Sequence, residues 1–221
     1  MGLKVVYTDY FYDSVELEFE ILHELDDVQV VDLTELQAGG IKEPQALIEH
    51  VKDADAIVTQ FAKITSEVID AMPKCRVIAR HAIGVDTIDV PAASSRNIVV
   101  ANVPDYCIEE VSDTAIAHIL NAVRHISESD RLLRDGRWEY QRIKPTQRFS
   151  QQTVGLLAFG HIARRVAEKL RPFGCRILAH DPYAEGLSGY EWVDFVSLET
   201  FLAESDVVSV HVPLNPQTRH M

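Results

Sequence analysis

The stretch that decides the fold is Thr153–Tyr183, TVGLLAFGHIARRVAEKLRPFGCRILAHDPY. It opens with an apolar run, Val154–Phe159, which has the length of a buried strand and is followed by Gly160. Apolar residues then recur at every fourth position, as on one face of an amphipathic helix: Ile162, Val166 and Leu170. A second apolar run, Cys175–Ala179, leads to Asp181. The stretch therefore predicts one strand–turn–helix–strand unit.

The chemistry of this unit points to a bound dinucleotide. A tight turn with small residues lets backbone N–H groups approach a pyrophosphate, and the helix that follows offers free N–H groups and the positive end of its dipole. Asp181 lies 18 positions after Ala163 (181 − 163), close to the interval of about 20 at which an acid binds the ribose hydroxyls. Because a carboxylate there repels a 2′-phosphate, it favours NAD over NADP.

The glycine motif of this turn is incomplete. The three positions of G-x-G-x-x-G/A are occupied by Ala158, Gly160 and Ala163. Alanine is allowed at the third position, and the glycine at which a pyrophosphate approaches is present. Ala158 is a departure, and we expect it to loosen or reshape the turn. The same βαβ pattern occurs in doubly wound proteins that bind no dinucleotide, so this alternative stays open on the stretch alone.

The composition bounds the class of protein. With 221 residues, 47% hydrophobic and 25% charged, the chain has the length of one large or two small domains. The net charge of −13 argues against a nucleic-acid partner, and no apolar run approaches the about 20 residues that span a bilayer. The three cysteines are far apart, and the histidines show no metal-ligand spacing. We therefore expect a cytoplasmic protein without a metal site, a nucleic-acid partner or a membrane partner.

The flanking sequence predicts an α/β fold in two domains. Through residues 1–101, strand-like and helix-like segments alternate, which predicts a parallel, doubly wound, flavodoxin-like sheet. Residues 102–221 would form a Rossmann-type domain that begins with a helix over about 108–133 and a polar connecting loop, Arg134–Gln152. Such a domain has about six strands, and about two remain after Asp181. Its second half is therefore expected beyond Met221.

Four motifs in the expected order resemble the D-isomer-specific 2-hydroxyacid dehydrogenases. Ala79–Asp113, ARHAIGVDTIDVPAASSRNIVVANVPDYCIEEVSD, resembles the family's substrate loop and the start of its interdomain helix. Ile116–Arg124 is similar to the C-terminal-binding-protein branch and to phosphoglycerate dehydrogenases. LAFGHIARRVAEKL resembles the nucleotide turn, and Ser205–Met221 the adenine-side strand and loop. The resemblance covers essentially the whole chain.

The resemblance implies roles for particular residues. Backbone N–H groups of the loop Ala82–Val85 would bind the substrate carboxylate, with charge added by Arg80; the implied substrate-binding residues are Arg80, Ala82, Ile83 and Gly84. The implied cofactor-binding residues, from the nicotinamide to the adenine, are Ile83, Val111, Ala158, Gly160, His161, Ile162, Asp181, Val212 and Pro213. His161 stands where the family commonly has an arginine or lysine. Asp86 and Asp89 fit helix caps better than catalytic groups.

The implied activity is NAD-dependent hydride transfer between nicotinamide and a small D-2-hydroxy acid or 2-oxo acid. The family's catalytic arginine, glutamate and histidine lie in the second half of the nucleotide domain, so they are expected beyond Met221 and are assigned to no residue here. Two alternatives stay open: a catalytically inactive NAD(H)-binding interaction protein, or a truncated pseudoenzyme. The resemblance also implies a homodimer, with Trp138 and its neighbours as interface candidates.

Overall fold

The computed structural model describes residues 2–143, 147–184, 186–215 and 217–221. The chain forms two compact units, Met1–Pro104 and Asp105–Met221. The sequence pattern predicts a division after residue 101. The assignment of a substrate to the first unit and a nucleotide to the second remains a prediction.

The first unit is a five-stranded parallel sheet in the order β2-β1-β3-β4-β5. Its strands are β1 (Leu3–Tyr7), β2 (Val28–Asp32), β3 (Ala56–Thr59), β4 (Val77–Arg80) and β5 (Val99–Ala101). Its helices are α1 (Glu16–His23), α2 (Pro44–Val51), α3 (Ser66–Asp70) and α4 (Val90–Ser95). Val6 and Ile57 point into one apolar cluster, whereas Val5 and Val58 point into another. Both faces of the sheet are thus covered, and the strand order is the flavodoxin-like one.

The second unit is a four-stranded parallel sheet in the order β8-β7-β6-β9. Its elements are α5 (Ile108–Arg124), α6 (Ile126–Arg134), β6 (Thr153–Leu157), α7 (His161–Leu170), β7 (Arg176–His180), β8 (Asp194–Phe195), α8 (Leu198–Glu204) and β9 (Val207–Val210). This order corresponds to strands 3-2-1-4 of a Rossmann sheet. The predicted fold class is therefore confirmed. Within the described residues, no helix is both long and apolar enough to cross a bilayer.

The prediction of one helix over about 108–133 is wrong, because His125 interrupts it. His125 has a φ of 54°, in the left-handed region, and ends α5 by donating its N–H to the carbonyl of Ala122. The Asn121 side-chain oxygen accepts the N–H of Ser127 at 2.8 Å and satisfies the start of α6. Apolar residues continue in the sequence beyond His125, at Ile126, Leu132 and Leu133, which is why the sequence pattern did not reveal the break.

The predicted connecting loop, Arg134–Gln152, includes residues 144–146, which lie outside the described residues. On either side of them, Tyr140–Ile143 and Phe149–Gln151 form short 3-10 turns.

The central strand β6 carries a glycine where α8 crosses it closely. A Cβ on Gly155 would lie 2.2 Å from the Ser205 hydroxyl oxygen and 2.7 Å from the ring of Phe201. Phe201 is fully buried. The strand therefore needs glycine here for close packing, and not for an unusual backbone angle.

We expect Gly155→Ala to lower the free energy of unfolding of the second unit by about 2 kcal/mol, the usual cost of overpacking a core. Tryptophan fluorescence in a urea titration measures it, since Trp138 and Trp192 both lie in this unit. Gly160→Ala is the matched control, because a Cβ on Gly160 meets no atom within 4 Å. Equal stability of the two variants would contradict the packing explanation.

Candidate functional site

The turn after β6 is closed in spite of its missing glycine. Ala158 adopts a φ of 70°, in the left-handed region that glycine enters freely. Its N–H donates to the His180 carbonyl at 2.9 Å, and the next N–H, of Phe159, donates to Asp181 Oδ2 at 2.8 Å. The expectation that Ala158 loosens or reshapes the turn stays a prediction. Alanine here takes on a conformation that costs about 1–2 kcal/mol.

Helix α7 begins with free backbone donors. Gly160 is its N-terminal cap and makes no side-chain capping bond. The N–H groups of Gly160, His161 and Ile162 have no acceptor among the described residues. Since the space beside the Gly160 Cα is open, a diphosphate can approach these donors and the positive end of the helix dipole.

Asp181 follows β7 at the same edge of the sheet as this turn. Its Oδ2 accepts the Phe159 N–H, and its Oδ1 accepts the N–H of Tyr183 at 2.9 Å. A carboxylate offers about four lone-pair directions, so each oxygen retains capacity for a ribose hydroxyl. The two backbone bonds hold the carboxylate in place before any ligand arrives.

A cleft of about 320 Å³ adjoins Asp181. It is lined by Ala179, His180, Asp181, Pro182, Phe195, Val196 and Ser197. Val212 and Pro213 follow β9, and β6 lies between β9 and β7. The predicted adenine residues follow β9 and the predicted ribose acid follows β7. These are the two strands on either side of β6, which leads into the turn.

Val111, predicted to approach the nicotinamide, lines a second groove of about 540 Å³ between α5 and β9. His211 faces the same groove; its Nε2 lies 2.9 Å from the Ser209 hydroxyl, and burial lowers the pKa of its imidazole. Ile83, predicted for the same end of the cofactor, belongs to the first unit.

The charge at the nucleotide turn comes from a residue that the sequence analysis did not assign. Arg164, in the first turn of α7, donates its Nε to the Phe159 carbonyl at 2.9 Å. The guanidinium is thereby held against the turn, whereas His161 is exposed. The sequence signal that could have identified Arg164 is a cation about one helical turn after Gly160. The glycine motif, however, specifies no residue type at that position.

In the first unit, the loop after β4 presents a row of free backbone donors. All four carbonyls of Ala82–Val85 are occupied: they accept from Val103 N–H, the Asn102 side chain, Arg80 and Ile88 N–H, respectively. The four N–H groups of the same residues have no acceptor in the part of the chain that the structure describes. With its carbonyls held and its N–H groups free, the loop offers backbone donors that suit a carboxylate.

Arg80 supports this loop from beneath. It is buried, with 7% of its surface exposed, and it donates to the Gln60 carbonyl at 3.2 Å and to Gly84 O and Asp86 Oδ1 at 2.6 Å each. The hydrogen bond from Arg80 holds the pKa of the Asp86 carboxyl below its ordinary value. The prediction that Asp86 caps a helix is wrong, whereas Asp89 does cap α4 through the Ala92 N–H.

Asp9, another group that sequence reasoning did not assign, organises the neighbouring loop after β3. Its carboxylate is fully buried and accepts five hydrogen bonds. The donors are the hydroxyls of Thr8 and Thr59 and the N–H groups of Gln60, Phe61 and Ala62. Because the Gln60 carbonyl in turn accepts from Arg80, Asp9 is connected to the loop with the free donors.

Comparisons with known proteins agree with these features. Residues 116–221 match the family profile described as D-isomer specific 2-hydroxyacid dehydrogenase, NAD binding domain. A glyoxylate reductase of Korarchaeum cryptofilum is 38% identical over 182 residues, which are 80% of this chain and 55% of that protein. A D-3-phosphoglycerate dehydrogenase of Methanocaldococcus jannaschii is 33% identical over 225 residues, 99% of this chain and 40% of that protein.

The fold is also that of solved structures. The crystal structure of the TT0316 protein from Thermus thermophilus superposes with a TM-score of 0.78 at 30% identity, over 98% of this chain and 67% of that one. The two parallel α/β units and the turn after β6 place the chain in the class of nucleotide-binding α/β proteins. The chain belongs to the D-isomer-specific 2-hydroxyacid dehydrogenase family. It spans about half the length of the curated relatives that it matches.

The cofactor of this family is NAD, and the residues present fit it. The open space at Gly160 and the free N–H groups at the start of α7 suit the pyrophosphate, and Asp181 suits the ribose. Across the described residues, no group of three or more histidine, cysteine or acidic side chains is placed to hold a metal ion.

We expect Gly160→Ala to weaken NADH binding at least tenfold, because its Cβ would occupy the space through which the pyrophosphate reaches the backbone. The quenching of tryptophan fluorescence on titration with NADH measures the affinity. The urea midpoint of the same variant should equal that of the wild type or exceed it. Unchanged NADH affinity would mean that the cofactor does not lie at this turn.

Proposed function

We propose that this chain provides the acid-binding and NAD-binding parts of an oxidoreductase that transfers a hydride between nicotinamide and a D-2-hydroxy acid or its 2-oxo acid. The observation that carries the proposal is the loop Ala82–Val85, with four occupied carbonyls and four free N–H groups. A site that binds NAD alone would not need a second donor site of this kind in the other unit.

We assign a different ligand to each of the two units, according to the backbone donors that each one offers. In the first unit, residues 1–101 in the predicted bounds, the loop would bind the substrate carboxylate, and Arg80 would hold the loop in shape. In the second unit, residues 102–221, Gly160 and its neighbours would bind the pyrophosphate and Asp181 the ribose. NAD, when bound, supplies the hydride acceptor. We assign no residue of this chain to polarising the carbonyl or to moving the proton.

The role of Arg80 differs from the one that the resemblance implied. A guanidinium with three acceptors of its own, one of them a carboxylate, retains little charge to offer a ligand directly. Its main contribution is positional: it fixes the Gly84 carbonyl and so holds the backbone of the loop in place. The backbone donors are then the groups that touch the acid.

We expect oxalate, an unreactive analogue of a 2-oxo acid, to shift the amide resonances of Ala82–Val85 most strongly in a two-dimensional NMR titration with NAD present. The amide of Val99, which donates to the Arg76 carbonyl at 2.9 Å within the sheet, serves as the internal control, and sulfate at equal ionic strength is the control anion. A catalytically inactive NAD(H)-binding protein would bind the nucleotide and show no oxalate shifts at this loop.

The proposed functional unit is a cytoplasmic homodimer. Its three cysteines are free thiols, as is usual in a reducing compartment. The segment after α6 exposes large apolar side chains, among which Trp138 is 80% exposed and lies close to Leu133 and Tyr140. Exposed aromatic side chains next to each other are typical of protein interfaces.

We expect Trp138→Ser to raise the dimer dissociation constant at least tenfold, as removal of a buried aromatic anchor does. Sedimentation velocity over a concentration series measures it. Leu17→Ser is the matched control, since Leu17 is an exposed apolar residue of the first unit. A wild-type chain that stays monomeric at every concentration would refute the dimer and leave the dehydrogenase proposal intact.

A further inference from the structure

Three exposed aromatic rings stand at the carboxyl edge of the first sheet. Phe11 and Tyr12 follow β1 and are 76% and 40% exposed, and Phe61 follows β3 and is 49% exposed. In open α/β sheets, ligands bind outside the carboxyl ends of the strands. We call these three residues the aromatic rim.

The aromatic rim is linked by short contacts to the loop with the free donors. The Tyr12 ring lies 5.8 Å from the ring of His81, the residue that directly precedes Ala82. The Phe11 ring lies 6.2 Å from that of Tyr12, and the Phe11 N–H donates to Gln60 Oε1 at 2.8 Å. Gln60 in turn directly precedes Phe61 and accepts from Arg80.

The backbone beneath the rim is held firmly. Asp9 Oδ2 accepts the Phe61 N–H at 2.7 Å, and Oδ1 accepts the N–H groups of Gln60 and Ala62. A buried carboxylate that accepts several N–H groups is costly to disturb, because removing a donor would leave charge unsatisfied. The backbone from which the Phe61 ring projects is therefore held in place.

We infer that the acid bound at Ala82–Val85 carries an aromatic or large apolar side chain, which the aromatic rim covers. This inference rests on the proposed function. Binding such a side chain removes apolar surface from water on both partners, whereas a small polar acid would leave the rings exposed. Arg80, the buried cation at this edge, is already paired with Asp86, so it does not favour a second anionic group.

A phosphorylated acid is the competing ligand class, because one further cation lies at the rim. The Lys42 ammonium is 5.4 Å from the centre of the Phe61 ring. This contact stabilises the cation on the ring face. The test must therefore distinguish binding of an acid with an apolar side chain from binding of an acid with a phosphate group.

The test is calorimetric titration of the 221-residue chain, with NAD present, by phenylpyruvate, pyruvate and 3-phosphoglycerate. We expect phenylpyruvate to bind about tenfold more tightly than pyruvate, the ratio that burial of roughly half a phenyl ring gives. Phe61→Ala should abolish this ratio and leave the pyruvate affinity unchanged. Phe173→Ala is the matched control, a partly exposed phenylalanine of the second unit that should leave both affinities unchanged.

The outcomes separate this inference from the proposed function. Equal affinities for phenylpyruvate and pyruvate, or a ratio that survives in Phe61→Ala, would overturn the inference alone. Tightest binding of 3-phosphoglycerate, lost in Lys42→Ala, would replace it with a phosphorylated substrate. If NAD binds and none of the three acids binds, both the inference and the proposed function are wrong.

Discussion

Parallel strand pairing is the constraint on which both units depend. In the second unit, β6 pairs with β7 over five residues in register, from Thr153 with Arg176 to Leu157 with His180. The turn after β6 and the acid after β7 must then emerge at one edge, only a strand spacing apart. The hydrogen bond from Phe159 N–H to Asp181 joins them directly. The nucleotide site is a consequence of that register.

The same arrangement of hydrogen bonds occurs at the carboxyl edge of the sheet in each unit. A carboxylate that follows one strand accepts N–H groups from the loop that follows the neighbouring strand: Asp9 after β1 binds the loop after β3, and Asp181 after β7 binds the loop after β6. Charge-assisted bonds of this type are roughly twice as strong as neutral ones. They allow a loop to keep an irregular backbone, with other donors left free for a ligand. In the first unit, Arg80 completes the arrangement by holding carbonyls on the opposite side.

The sequence pattern predicted the features that depend on neighbours along the chain. The βαβ unit, the acid at its second strand and the alternation that builds the first sheet were all readable, because apolar runs and their spacing report burial directly. The prediction of a single long helix was wrong because a left-handed residue, His125, breaks it without disturbing the apolar stripe. Ala158 was judged by residue type alone, although its left-handed conformation accompanies the bond of its own N–H to His180 in β7 and that of the Phe159 N–H to Asp181.

By itself, the sequence determined the fold class, the position of the strand–turn–helix–strand unit and the family to which the chain belongs, since these follow from local spacing and from motifs in order. Only the tertiary structure decided which donors are free. The roles of Asp9, Asp86 and Arg164 arise from contacts with loops or turns that strand pairing and chain folding bring close. Whether an N–H group is available to a ligand depends on every acceptor around it, and those acceptors come from distant parts of the chain.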